Sequence, residues 1–91
     1  MNTLNFQWNE EKNQKLKVER SICFEDIRQA TKDGRLKEII QNPSLKNFPN
    51  QLCLIVEINN YVYVVPFVLQ FDGSWFLKTI YPSRKFTKKY L

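Results

Sequence analysis

Along the chain the spacing of apolar positions changes repeatedly, and each change marks an element. Asn5-Phe6-Gln7-Trp8 alternates polar and apolar positions, which predicts a short strand. Asn9 offers an N-cap, with Glu10 and Glu11 in the first turn, where the helix dipole favours carboxylates. Residues 10–20 are dense in good helix formers and hold no Gly or Pro. The apolar stripe of this first helix is thin, Leu16 and Val18, so it is expected on the surface with one side lightly buried. Phe24, Ile27 and Ala30 then recur at helical spacing, and Gly34 is placed to stop the run, which predicts a second helix over 24–33. Leu36, Ile39 and Ile40 fit either a helical turn or a strand, and the short run before Asn42-Pro43 favours the strand.

The second half has strand character. After an irregular stretch over 42–51 with two prolines and three asparagines, Leu52 to Ile58 reads as a strand. Asn59-Asn60 suits a two-residue hairpin turn, since Asn tolerates the left-handed region. Tyr61 to Leu69 is almost wholly apolar, as expected of a strand buried on both faces, and Pro66 within it predicts a bulge or an edge. Asp72-Gly73 marks a turn, Trp75 to Tyr81 the next strand, and Arg84 to Tyr90 a last short helix after Pro82-Ser83. Helices followed by a meander predict an α+β domain, with the helices on one face of a small antiparallel sheet. Ninety-one residues suit one such domain over 1–91, because division would leave pieces too small to bury cores.

Composition narrows the chemistry. With 43% hydrophobic residues and thirteen aromatics the chain suits a globular core, and its longest apolar run is far too short to span a membrane. Nothing near Met1 reads as a secretory signal, and Cys23 and Cys53 are expected as small buried hydrophobes in a reducing cytosol, so the expected location is cytoplasmic. With no histidine and two cysteines, zinc sites of the usual types and histidine-based catalysis are excluded, and no cofactor or metal is expected. Two glycines cannot build a phosphate-cradling loop or a nucleophile elbow.

The charge is segregated. Residues 1–77 hold nine basic and nine acidic side chains, so the net +5 resides entirely in Lys78, Arg84, Lys85, Lys88 and Lys89. At about 100° per residue, Arg84, Lys85, Lys88 and Lys89 share one arc of the last helix, and Phe86 and Tyr90 lie opposite. The segment can therefore dock through its aromatics and hold a basic face outward. Lys78 precedes it on the strand, and Thr79, Tyr81, Ser83 and Thr87 add hydroxyls. Cations, hydroxyl donors and stackable aromatics together suit binding to a phosphate backbone. Against this, cations at a helix C-terminus also complement the dipole, and lysine-rich chain ends are often merely solvated.

Three stretches carry a resemblance. Phe6-Gln7-Trp8-Asn9 before a Lys-rich helix resembles the "F-x-W-D/N … K" opening of the BrnT-type toxins. Ile22-Cys23-Phe24-Glu25-Asp26 is similar to their "V-S-F-E-E" turn, and Ile80 to Tyr90 to their "I-I-S-A-R-K-A-T-R-R-E … Y" close. The resemblance implies a small bacterial type II toxin of the RelE/ParE-like fold, acting as a ribonuclease that arrests translation and is held in check by a cognate antitoxin. It carries the "R-K-x-T-[RK]" element onto Arg84, Lys85, Thr87 and Lys88, and the basic residue of the preceding strand onto Lys78. Where many relatives have Lys-His-Gly before the turn, this chain has Glu19-Arg20-Ser21, so any role of that histidine is absent or is taken by Arg20 as a cation only.

Such an enzyme lets the RNA 2′-hydroxyl attack the adjacent phosphate, which needs a base, cations on the phosphorane oxygens and a proton donor for the leaving oxygen. The expected catalytic residues are Arg84, Lys85, Lys78 and Tyr81. Lys88, Lys89, Thr87, Tyr90 and Arg20 are the expected RNA contacts. The antitoxin is expected to cover the basic face with an acidic segment, forming a hetero-oligomer, and no membrane partner is expected. Two other classes remain open: a non-catalytic toxin of the same fold that inhibits a protein target, and a nucleic-acid-binding module using the basic arc.

Overall fold

The computed structural model describes residues 5–41 and 51–91. They form a small α+β fold of β1 (Phe6–Trp8), α1 (Glu10–Arg20), α2 (Phe24–Lys32), β2 (Leu36–Gln41), β3 (Gln51–Ile58), β4 (Tyr61–Leu69), β5 (Trp75–Leu77), β6 (Tyr81–Pro82) and α3 (Arg84–Tyr90). The irregular stretch expected over 42–51 lies outside the described residues up to 50, and Gln51 already belongs to β3.

The predicted local signals act as expected. Asn9 accepts a hydrogen bond from the Lys12 amide at 3.0 Å and so caps α1. Asn59 and Asn60 both take the left-handed conformation, at φ 54° and 64°, which gives the tight β3–β4 hairpin a twist matching its strands. Gly34 follows the end of α2 at φ 79°, where a side chain would be strained.

The sheet is mixed, which corrects the expected antiparallel meander. Its order is β1-β5-β4-β3-β2, with β6 beside β4. β2 to β5 pair antiparallel, while β1 pairs with β5 in parallel, Phe6 opposite Trp75 and Trp8 opposite Leu77. The aromatics explain this partnership: Phe6 stacks on Trp75 at 5.9 Å, and Trp75 on Phe67 at 4.6 Å.

The strand expected over 75–81 is broken. β5 ends at Leu77 and β6 starts at Tyr81, both along the same side of β4. Between them Ile80 is fully buried in the core, and Pro66 sits where the pairing lapses. Pro66 forms no bulge, since it stays in register opposite Cys53 of β3. Its carbonyl accepts from the Lys78 amide at 2.8 Å, and a residue's nitrogen points to the same side of a strand as its carbonyl. The nitrogen that cannot donate therefore faces the gap between β5 and β6.

Alternation along the strands separates two hydrophobic clusters. Leu54, Val56, Val65, Phe67 and Leu77 pack with Leu16, Phe24, Ile27 and Ile80 under α1 and α2. Cys53, Ile55, Val62 and Val64 form the second cluster, covered by Phe86 and Tyr90 of α3. The N-terminal helices α1 and α2 thus cover one face, as expected, and α3 covers the other, because β4 is apolar at consecutive positions and needs cover on each side. Of the thin α1 stripe only Leu16 is buried and Val18 is 85% exposed: residues two apart point to nearly opposite sides of a helix. Asn13 takes the other inward position. It is fully buried, its Oδ1 accepts from the Phe24 amide at 2.7 Å, and its Nδ2 donates to Glu25 at 2.8 Å.

Cys23 and Cys53 are free thiols, Cys53 buried and Cys23 half-buried. Among the described residues no helix is long and apolar enough to cross a membrane.

Candidate functional site

The short helix α3 is fixed by residues that do not face solvent. Ser83 caps it by accepting from the Phe86 amide at 3.1 Å. Thr87 Oγ1 accepts from the Val62 amide at 2.9 Å and donates to the Ser83 carbonyl at 2.7 Å. Phe86 and Tyr90 stack at 6.4 Å and lie on the second cluster, and the Tyr90 hydroxyl donates to Glu38 of β2. The aromatic side of the predicted helix is therefore its docking side.

Two expected RNA contacts also hold α3 in place. The hydroxyls of Thr87 and Tyr90 are already bonded within the fold, because the free edge of β4 and the carboxylate of β2 lie beneath α3. Lys89 also departs from the expected outward arc. Its ammonium lies 3.8 Å from Glu38 and 5.3 Å from the Tyr90 ring centre, folded over the helix's own aromatics. Arg20 is a brace: its guanidinium donates to the Ile80 carbonyl at 2.6 Å and ties the end of α1 to the break between β5 and β6.

What remains outward is smaller and more coherent. Arg84, Lys85 and Lys88 are exposed and have no ion-pair partner among the described residues. Lys85 reaches over Phe86, 5.9 Å from its ring centre. Arg84 and Lys85 occupy the first turn of α3, which holds no acidic residue. The dipole favours the cations of the last turn, Lys88 and Lys89, but disfavours these two. Dipole complementarity thus accounts for only half of the basic arc.

Tyr81 stands just before α3. It pairs with Val64 and so shares the α3 side of the sheet, with 40% of its surface exposed. Burial pushes its hydroxyl above the ordinary tyrosine value, and the nearby Cys53 thiol adds to the shift. Lys78 lies just beyond β5 and not on a continuous strand, with its ammonium 5.3 Å from the Phe76 ring centre.

Lys78 also borders an open groove of about 680 Å³ with Asn9, Glu11, Lys12, Lys15 and Phe76. Lys12, Lys15 and Phe76 are not among the residues expected to contact RNA, because only the parallel β1–β5 pairing brings α1 beside Lys78. Near the other end of α1, a cavity of about 490 Å³ is lined by Ser21, Asp26, Gln29, Asp33, Arg35 and Tyr63, among others. Its carboxylates serve the helix ends: Asp26 accepts from the Cys23 amide at 3.0 Å and Asp33 from Gln29 at 3.0 Å. Among the described residues no three His, Cys, Asp or Glu side chains converge to hold a metal ion.

Comparison with family models, curated proteins and solved structures returns no match to this chain.

Proposed function

We propose that the chain is an RNA-cleaving toxin of the type II class, RelE/ParE-like in fold and BrnT-like in its motifs, neutralised by a cognate antitoxin. The observation that carries this reading is the pair Arg84 and Lys85 in the first turn of α3. They stand at the end of the helix where the dipole disfavours cations, and Tyr81 lies three residues before Arg84. Local choices that cost stability without a structural return are expected where function demands them.

In this reading Arg84 offers its planar fork to the oxygens of the scissile phosphate, and Lys85 adds a second charge as the phosphorane forms. The 2′-hydroxyl gives its proton to a solvent water as its oxygen bonds to phosphorus, and Tyr81 supplies a proton to the 5′-oxygen as the P–O5′ bond breaks. Lys88 holds a flanking phosphate. The antitoxin covers this patch with an acidic segment, since Arg84, Lys85 and Lys88 carry three of the five surplus positive charges.

Induced expression with and without Arg84→Ala tests the reading. The unaltered chain arrests growth and fragments cellular RNA, and the variant loses both by a factor of at least about 100 while its thermal unfolding is unchanged. Arrest with intact RNA would instead indicate inhibition of a protein target. Salt-dependent RNA binding with neither arrest nor cleavage would leave only a binding module.

A further inference from the structure

The groove between α1 and the end of β5 lies outside the α3 patch, and its residues serve no evident packing purpose. Its position follows from the topology. Because Trp8 pairs with Leu77 in parallel, the chain that turns into α1 after Asn9 and the chain that leaves β5 at Lys78 set out side by side. Lys12 and Lys15, one helical turn apart, therefore come to border the same hollow as Lys78 and Phe76. Three lysines against one glutamate, Glu11, leave a surplus of two positive charges around it. None of the three has an ion-pair partner among the described residues, so their charges are available to a ligand.

Phe76 supplies the second component. Its strand neighbours Trp75 and Leu77 belong to the core under α1 and α2, so alternation turns Phe76 to the opposite face, where it is half-exposed. An aromatic ring with a mobile ammonium over it and two more at the rim presents a stacking surface ringed by phosphate partners. Lys78, Tyr81 and Arg84 follow at intervals of three residues, so the chain that borders the groove leads on to the α3 patch.

We propose that this groove is a second binding site for single-stranded RNA, with Lys12, Lys15 and Lys78 on backbone phosphates and a base stacked on Phe76. It extends the path of a strand whose scissile phosphate lies at Arg84, and in that respect it rests on the RNA reading of α3. An acidic protein segment would satisfy the lysines but would leave Phe76 without a role.

The test is fluorescence anisotropy with a short labelled single-stranded RNA, 2′-O-methylated so that it resists cleavage, across a salt series. A Lys12→Ala/Lys15→Ala double variant should bind at least about tenfold more weakly at low salt. The slope of log affinity against log salt should fall by about 1.4, at about 0.7 for each phosphate that is no longer neutralised. Phe76→Leu should weaken binding about fivefold or more with the slope unchanged, as stacking does. Circular dichroism checks that each variant folds; the lysine pair is on the surface and carries the test if Phe76→Leu does not fold. Unchanged affinity in the double variant, with a loss in Arg84→Ala, overturns the groove and keeps the α3 patch. Loss in the double variant with none in Arg84→Ala keeps the groove and removes the α3 reading. Absence of any RNA binding, or displacement of RNA by poly-glutamate with Phe76→Leu indifferent, overturns the groove as an RNA site.

Discussion

The two faces of the sheet are built on different terms. Under α1 and α2 lies a thick core of large side chains, closed by the buried amide of Asn13 linking the two helices. Under α3 lies a thin layer of Cys53, Ile55, Val62 and Val64, with half-buried aromatics as cover and hydroxyls as ties. Stability is concentrated on the first face, and the second is a mount for a charged surface. Anchoring the short helix α3 through one side leaves nearly all its outer side chains unconstrained by packing.

Core truncation should separate the faces most strongly. Phe67→Ala, in the thick core, is expected to lower unfolding stability by about 3–5 kcal/mol. Phe86→Ala, half-buried under α3, is expected to cost about 1–2 kcal/mol. Urea unfolding measures both, and comparable losses would break the comparison. Asn13→Ala comes next, at about 2 kcal/mol, because it leaves the buried Phe24 amide without an acceptor.

Thr87→Val should cost about 1 kcal/mol by orphaning the Val62 amide. Its effect should be local: hydrogen exchange quickens at Val62 and through α3, while amides of α1 and α2 are unmoved. The smallest expected effect is in acid. The Asn13 amide holds the Glu25 carboxyl below its ordinary value, so folding favours the charged form. That contribution is present above the ordinary carboxylate range and is lost as pH falls toward the lower folded value. Melting temperature against pH should therefore show a shallower acid limb in Asn13→Ala than in the unaltered chain. Parallel limbs would separate Asn13 from the titration of Glu25.

The difference between the faces also explains what the sequence could disclose. Signals that act within a few residues were legible: the Asn9 cap, the Asn59-Asn60 turn, the helical spacing of Phe24, Ile27 and Ala30, and the aromatic side of α3 formed by Phe86 and Tyr90. Features that depend on distant partners were not. Alternation at Phe6 and Trp8 indicates a strand with an apolar face, but a period of two does not name the neighbour, so the parallel pairing with β5 stayed hidden. The bracing roles of Thr87, Tyr90 and Arg20 were hidden for the same reason. Their bonding partners Val62, Glu38 and Ile80 lie far away in sequence, and a hydroxyl or guanidinium suited to RNA suits a carbonyl or carboxylate equally well. Lys12 and Lys15 did not stand out as a site, since they lie on a helix that also carries Glu10, Glu11 and Glu19 and only tertiary placement sets them beside Lys78.

Pro66 has a consequence for fidelity of assembly. A strand as uniformly apolar as β4 could slide by two residues against its neighbours and keep the same side chains on each face. The proline discourages that error, because a shifted alignment would set a nitrogen without hydrogen against a carbonyl that needs a donor. The alignment that places it at the interruption avoids the mismatch, and there its own carbonyl receives the Lys78 amide. A single imino acid in the middle of the sheet thus acts as an index mark, setting where along the edge the chain departs toward Tyr81 and Arg84.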